Sequence, residues 1–109
     1  MGQWNLDYYI DNEVSSTSTF RDTTNYEPGQ YLKLEKGGSC VAKLDNGITT
    51  TEWKLLENNT VLWIADNGTI DVPSDGFVIK TLDDHSLILA NKETYSATSY
   101  YEISIYLKR

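Results

Sequence analysis

The sequence predicts an all-β domain, a small closed barrel of about eight antiparallel strands in up-and-down order. Three observations predict it. The chain opens with a run from Gly2 to Ile10 in which Trp4, Leu6, Tyr8 and Ile10 alternate with polar residues, the period-two signature of a strand. From Gln30 onward, short alternating runs succeed one another between turns rich in Gly, Asn and Asp. The last run, Tyr101 to Arg109, alternates like the first and can return beside it, removing the two exposed edges that an open sheet would carry.

After the opening strand comes Asp11 to Gly29, crowded with Ser, Thr, Asp and Asn and ending in the turn pair Pro28-Gly29. Its composition predicts a long irregular loop, read as a lid over one barrel end with Phe20 and Tyr26 as its large apolar anchors. Tyr31 to Glu35 then sets Leu32 and Leu34 on one face, and Ser39 to Leu44 sets Cys40, Ala42 and Leu44 on one face. Asp45-Asn46-Gly47 is a hairpin signal, because Asn and Gly tolerate the positive φ that tight hairpins require. Thr49 to Leu56 follows, with Trp53 and Leu55 in phase.

Thr60 to Ala65 is apolar on both faces, so either Leu62 and Ile64 or Val61 and Trp63 can point inward. A wider connection from Asp66 to Gly76, with Ile70 and Val72 as a short extension, leads to a strand from Gly76 to Leu82. Asp83-Asp84-His85 reads as a turn and Ser86 to Ala90 as a strand with Leu87 and Leu89 in phase. A polar loop, Asn91 to Ser99, precedes the closing strand. In an even-stranded meander that strand ends where the first begins, so Lys108 and Arg109 are expected beside Trp4, a cation over an indole.

The 109 residues fit one domain, residues 1–109, with a single core. A net charge of −7 spread along the chain disfavours nucleic acid as a partner, and Lys108-Arg109 is too small a basic cluster for a polyanion. The single Cys40 forbids an internal disulfide and leaves the redox compartment open. No apolar run approaches the roughly 20 residues of a membrane-spanning helix. The first strand begins directly after Met1, and a leader removed upstream is expected, giving a cell-envelope or secreted home with a cytoplasmic one still open.

Gly2-x-Trp4 opening the first strand, the long first loop, the hairpin meander and the basic residue on the last strand together resemble the lipocalin family. More narrowly, Trp53-Lys54-Leu55, the run Phe77 to Leu82 with Leu87-Ile88-Leu89, and the Leu107-Lys108-Arg109 ending are similar to the compact lipocalin-like domains of gut Bacteroidetes lipoproteins. The resemblance spans nearly the whole chain. It implies an eight-stranded antiparallel lipocalin-like barrel, frequently exported and lipid-anchored, usually of unassigned function. It also implies that Gly2, Trp4, Lys108 and Arg109 close the barrel. The chain departs from larger lipocalins in having no disulfide, no C-terminal helix and fewer residues.

The sequence shows no nucleophile arrangement around Cys40 or His85, and enzymatic activity and a cofactor are not expected. Cys40 reads as a small buried hydrophobe. Asp83, Asp84 and His85 are adjacent turn residues without the preorganised spacing of a metal site, and Asp66 to Asp71 lacks the alternating ligands and terminal Glu of a calcium loop. Asn58-Asn59-Thr60 and Asn67-Gly68-Thr69 match a glycosylation pattern, yet turn chemistry alone accounts for Asn in both.

Three Trp and eight Tyr are more informative. Tyr8, Phe20, Tyr26, Trp53, Phe77 and Tyr101 are the candidate ligand-binding residues, lining a pocket if they point inward and filling it if they pack together. The leading expectation is a non-enzymatic, monomeric binding module that takes a small hydrophobic molecule at its open end. The alternative is a protein-interaction or protease-inhibitor-like small barrel with a filled core. An open interior discriminates the first from the second.

Overall fold

The computed structural model describes residues 1–45, 47–65 and 72–109. Among them nine strands form one antiparallel sheet: β1 (Gly2–Val14), β2 (Thr19–Asn25), β3 (Tyr31–Leu34), β4 (Ser39–Leu44), β5 (Gly47–Leu56), β6 (Val61–Ile64), β7 (Phe77–Leu82), β8 (Ser86–Ser96) and β9 (Ser99–Lys108). The order is β2-β1-β3-β4-β5-β6-β7-β8-β9, and β9 pairs with β1 as well. Hydrogen bonding therefore runs in a ring through β1 and β3 to β9, with β2 added outside it.

β1 organises the ring because it serves three neighbours. One edge pairs with β9 from Asn5 to Val14. The other pairs with β3 from Gly2 to Asn5 and then with β2 from Tyr8 to Val14. The change of neighbour coincides with a bulge: Leu6 faces Leu107 and Tyr8 faces Tyr106, which leaves Asp7 as the extra residue. At the same place the Leu6 amide donates to Gln30 O at 2.9 Å and the Tyr26 amide to Asp7 O at 3.0 Å, so the edge facing β3 and β2 is not left unpaired where β3 stops and β2 has yet to begin.

The core lies inside the ring. Trp4, Leu34, Cys40, Ala42, Leu62, Ile64, Phe77, Leu87 and Leu89 are buried and contiguous there. The ambiguity of β6 resolves in favour of Leu62 and Ile64 inward, while Trp63 stands outside beneath Lys54, whose Nζ lies 4.7 Å from the indole centroid. Trp4 is fully buried, with the Arg109 guanidinium 4.0 Å above its ring. Arg109 is fixed there by its Nε donating to Asp84 O at 3.1 Å and by a bond from its guanidinium to Met1 O. A Cβ on Gly2, whose φ is +85°, would stand 3.2 Å from that guanidinium. Lys108 instead reaches the surface and pairs with Asp7 at 3.4 Å.

Two expected loops are strands. The Asp11 to Gly29 lid is corrected: β1 continues to Val14, Ser15 to Ser18 makes the turn, and β2 runs back to Asn25. The Ser15 amide donates to Ser18 O at 2.8 Å, and Ser15 Oγ accepts from the Ser18 amide at 3.1 Å, so the serines build the turn. Composition misled because β2 is nearly all exposed and needs no apolar period. Its threonines are β-branched, and its order comes from seven cross-strand partners on β1. Likewise, the polar stretch after Ala90 remains in β8 as far as Ser96, paired with β9 except at Tyr95, where the register shifts. The far halves of β8, β9 and β1, together with β2, form a four-stranded extension of the ring, and the chain measures 44 × 31 × 29 Å.

Elsewhere the turns carry the expected chemistry or more. Gly47 has φ +113°. Glu57, Asn58 and Asn59 all lie in the left-handed region at φ +49°, +57° and +66°, one left-handed turn between β5 and β6. Asn46 of the first hairpin signal and the readings on Asp66 to Asp71, including Asn67-Gly68-Thr69 and Ile70, lie outside the described residues.

Candidate functional site

Above the packed floor of Trp4, Leu34, Leu62 and Leu87 the ring interior is not filled. A cavity of about 440 Å³ opens there toward the extension. Its apolar wall comes from strands on both sides of the ring: Leu6, Leu32, Leu44 and Ile64, then Phe77 and Leu89, and Ile103 and Ile105 of β9. Each is the inward member of an alternating strand, so the wall is the core face of the sheet carried past the level where side chains meet. Tyr9, Asp11, Tyr26 and Tyr101 complete the lining and supply its polar groups.

The bulge at Asp7 puts Tyr9 and Asp11 there. Trp4 and Leu6 point inward below it; the extra residue reverses the phase, so that Tyr9 opposite Ile105 and Asp11 opposite Ile103 point inward above it. Tyr8 is corrected accordingly. It faces Tyr106 on the outer surface, where the two rings stack at 4.4 Å and 15°, and it does not line the cavity.

Asp11 is the chemical centre of the mouth. The Tyr101 hydroxyl donates to Asp11 Oδ1, and that bond, reinforced by burial, raises the Tyr101 pKa to about 12. Tyr26 is likewise pushed up to about 12, first by burial and then by the charges of Tyr9 and Asp11. The Tyr9 and Tyr26 rings meet at 5.4 Å, tilted by 58°. A proton donor, an acceptor and two aromatic faces thus converge on the rim of an apolar space.

Two further depressions adjoin it. One, of about 440 Å³, shares Phe77, Tyr101 and Ile103 and reaches Val72 to Asp75. The other, of about 530 Å³, lies across Tyr9 and Tyr26 and reaches Gln30, whose buried amide donates to Asp45.

Of the aromatics singled out in the sequence, Tyr26, Phe77 and Tyr101 meet at this cavity. Phe20 does not fold over the mouth: it stands on β2 opposite Glu13 and is 61% exposed. Trp53 borders a separate depression with Met1, Gly37 and Gly38, its Nε1 donating to Glu35 O at 2.9 Å. Tyr9 and Asp11 were hidden because alternation counted from Trp4 selects Tyr8 and Ile10. The one signal was the adjacent pair Tyr8-Tyr9, which offers an aromatic to either face.

Cys40 is buried and its thiol is pushed up to about 11 by burial, away from reactive thiolate character. Asp83 caps its own turn, accepting from the His85 and Ser86 amides at 2.9 and 2.8 Å, which hold its carboxyl below the usual range. Among the described residues no group of three His, Cys, Asp or Glu is placed to hold a metal ion. Among the described residues no helix is long and apolar enough to cross a membrane. No family model, curated protein or solved structure matches the chain.

Proposed function

We propose that the chain is a non-enzymatic binding module, a lipocalin-like barrel in which the ring holds a small hydrophobic molecule at its open end. The observation that carries this reading is the unfilled apolar cavity of about 440 Å³ above a packed floor. That volume lies within the range of small-molecule sites, and its walls are apolar with a few convergent polar groups. Affinity would come from apolar area removed from water, about 25 cal/mol per Å². The same proposal extends to the lipocalin-like lipoproteins that the sequence resembles, and with them to a cell-envelope or secreted setting.

The test is uptake of a neutral environment-sensitive dye, Nile red, by the parent and by Ile103→Trp. Ile103 is a half-buried wall residue, so the larger ring enters the cavity without displacing the floor. Saturable uptake by the parent that drops by about tenfold in the variant, at unchanged melting temperature, is the expected result, since about 1.4 kcal/mol of lost burial suffices. A parent that takes up no dye would overturn the reading in favour of a filled protein-interaction barrel.

A further inference from the structure

The cavity mouth has a definite electrostatic character, and the strand register extends it. Residues opposed across antiparallel strands project from one face. Asp11 faces Asp22 on β2 and Ile103 on β9, Glu13 faces Phe20 and Tyr101, and Glu93 faces Tyr101. Asp11, Glu13, Asp22 and Glu93 thus share with Tyr9 and Tyr101 the face that runs down into the cavity. Tyr95 joins them, its hydroxyl 3.5 Å from Glu93 Oε2.

The basic residues of the extension are on the other side. Arg21 faces Asn12, and Lys92 faces Glu102 with its ammonium 4.1 Å from the Tyr100 ring. Among the described residues no basic side chain forms an ion pair with these four acids. An apolar pocket therefore ends in a carboxylate beside aromatic rings, within a negative field that its own chain does not neutralise.

We propose that this site selects organic ammonium compounds, molecules with an apolar body and a protonated amine head; the proposal rests on the binding-module reading. The body occupies the space walled by Leu6, Ile64 and Leu89. The head lies against Asp11, where a charge-assisted hydrogen bond is available, and beside the Tyr9 and Tyr26 rings, whose faces attract cations. Fatty acids, with the same apolar body, would bring a carboxylate against Asp11 and are disfavoured. A metal ion fits less well, because these acids alternate along extended strands and among the described residues no three are placed to hold one.

The experiment is calorimetric titration of the whole chain with n-decylamine, n-decanol and n-decanoate below their aggregation concentrations. The amine is expected to bind about tenfold more tightly than the alcohol, the value of one charge-assisted contact, and the carboxylate more weakly than either. Added salt should narrow the gap. Asp11→Asn should bring the amine to the level of the alcohol. Glu102→Gln, which removes one carboxylate from the opposite face of β9, should preserve the preference, and an unchanged affinity of Asp11→Asn for the alcohol shows that its loss of preference is not structural. Amine and alcohol binding equally, or the carboxylate binding best, overturns the ammonium proposal while leaving the binding module standing. Binding of none of the three overturns both.

Discussion

Gly76→Ala tests how the ring is held shut. Among the described residues the β6–β7 seam has two paired positions, Val61 with Val78 and Leu62 with Phe77, against nine for β1 with β9. Gly76 sits directly before that seam at φ +88°, and a Cβ there would lie 2.7 Å from Val61 Cγ1 and 2.9 Å from Leu62 O. Two costs result. Holding an L-residue in the left-handed region costs about 1–2 kcal/mol, and forcing atoms into a filled space adds about 1–3 kcal/mol. Gly37 separates them, since its φ is +103° but a Cβ there meets nothing within 4 Å. Gly37→Ala should therefore lose about 1–2 kcal/mol and Gly76→Ala about 2–5 kcal/mol. Urea unfolding followed by far-UV circular dichroism, extrapolated linearly, reads both. Adding Val61→Ala to Gly76→Ala should return only part of the loss, because the Leu62 carbonyl is backbone and cannot withdraw. Equal losses at the two glycines would refute the steric argument and with it the view that β6 and β7 are in register-fixing contact there.

Glu57→Gly should stabilise the chain by about 0.5–1 kcal/mol, the relief of left-handed strain less the greater freedom Gly gives the unfolded state; a lowered urea midpoint would count against the left-handed turn. Alkaline titration provides the other check. Tyr26 and Tyr101 have folded pKa values near 12 against an unfolded 10.0, so their contribution is complete below about 10 and is lost as pH rises toward 12. Stability should fall across that window, and less steeply in Tyr26→Phe; a flat profile contradicts the burial of Tyr26.

Where a strand borders the core, its sequence was legible. β3 and β4 show this: Leu32 and Leu34, then Cys40 and Ala42, alternate with polar residues because one face is buried and the other wet. Gly47 was legible through its turn. β2 and the outer half of β8 were not, since strands exposed on both faces carry no apolar period and are ordered by partners distant in sequence. The cavity was half legible. Phe77, Tyr101 and Tyr26 announce themselves as aromatics, but nothing in Leu-Asp-Tyr-Tyr specifies which residue is extra in the ladder.

That extra residue links the architecture to the site. Without Asp7 as a bulge, alternation from Trp4 would carry Tyr8 and Ile10 inward and turn Tyr9 and Asp11 to solvent, giving an apolar mouth without a charge. The bulge increases local twist and bends the bulged strand, and it falls where β1 leaves β3 for β2. The strand thereby departs from the ring carrying Asp11 on the interior face rather than the exterior one. Closure at the floor depends on Trp4 and Leu6 below the bulge, and polarity at the mouth on Tyr9 and Asp11 above it. One inserted residue thus allows a single strand to present an apolar face to the core and a carboxylate to whatever enters the cavity.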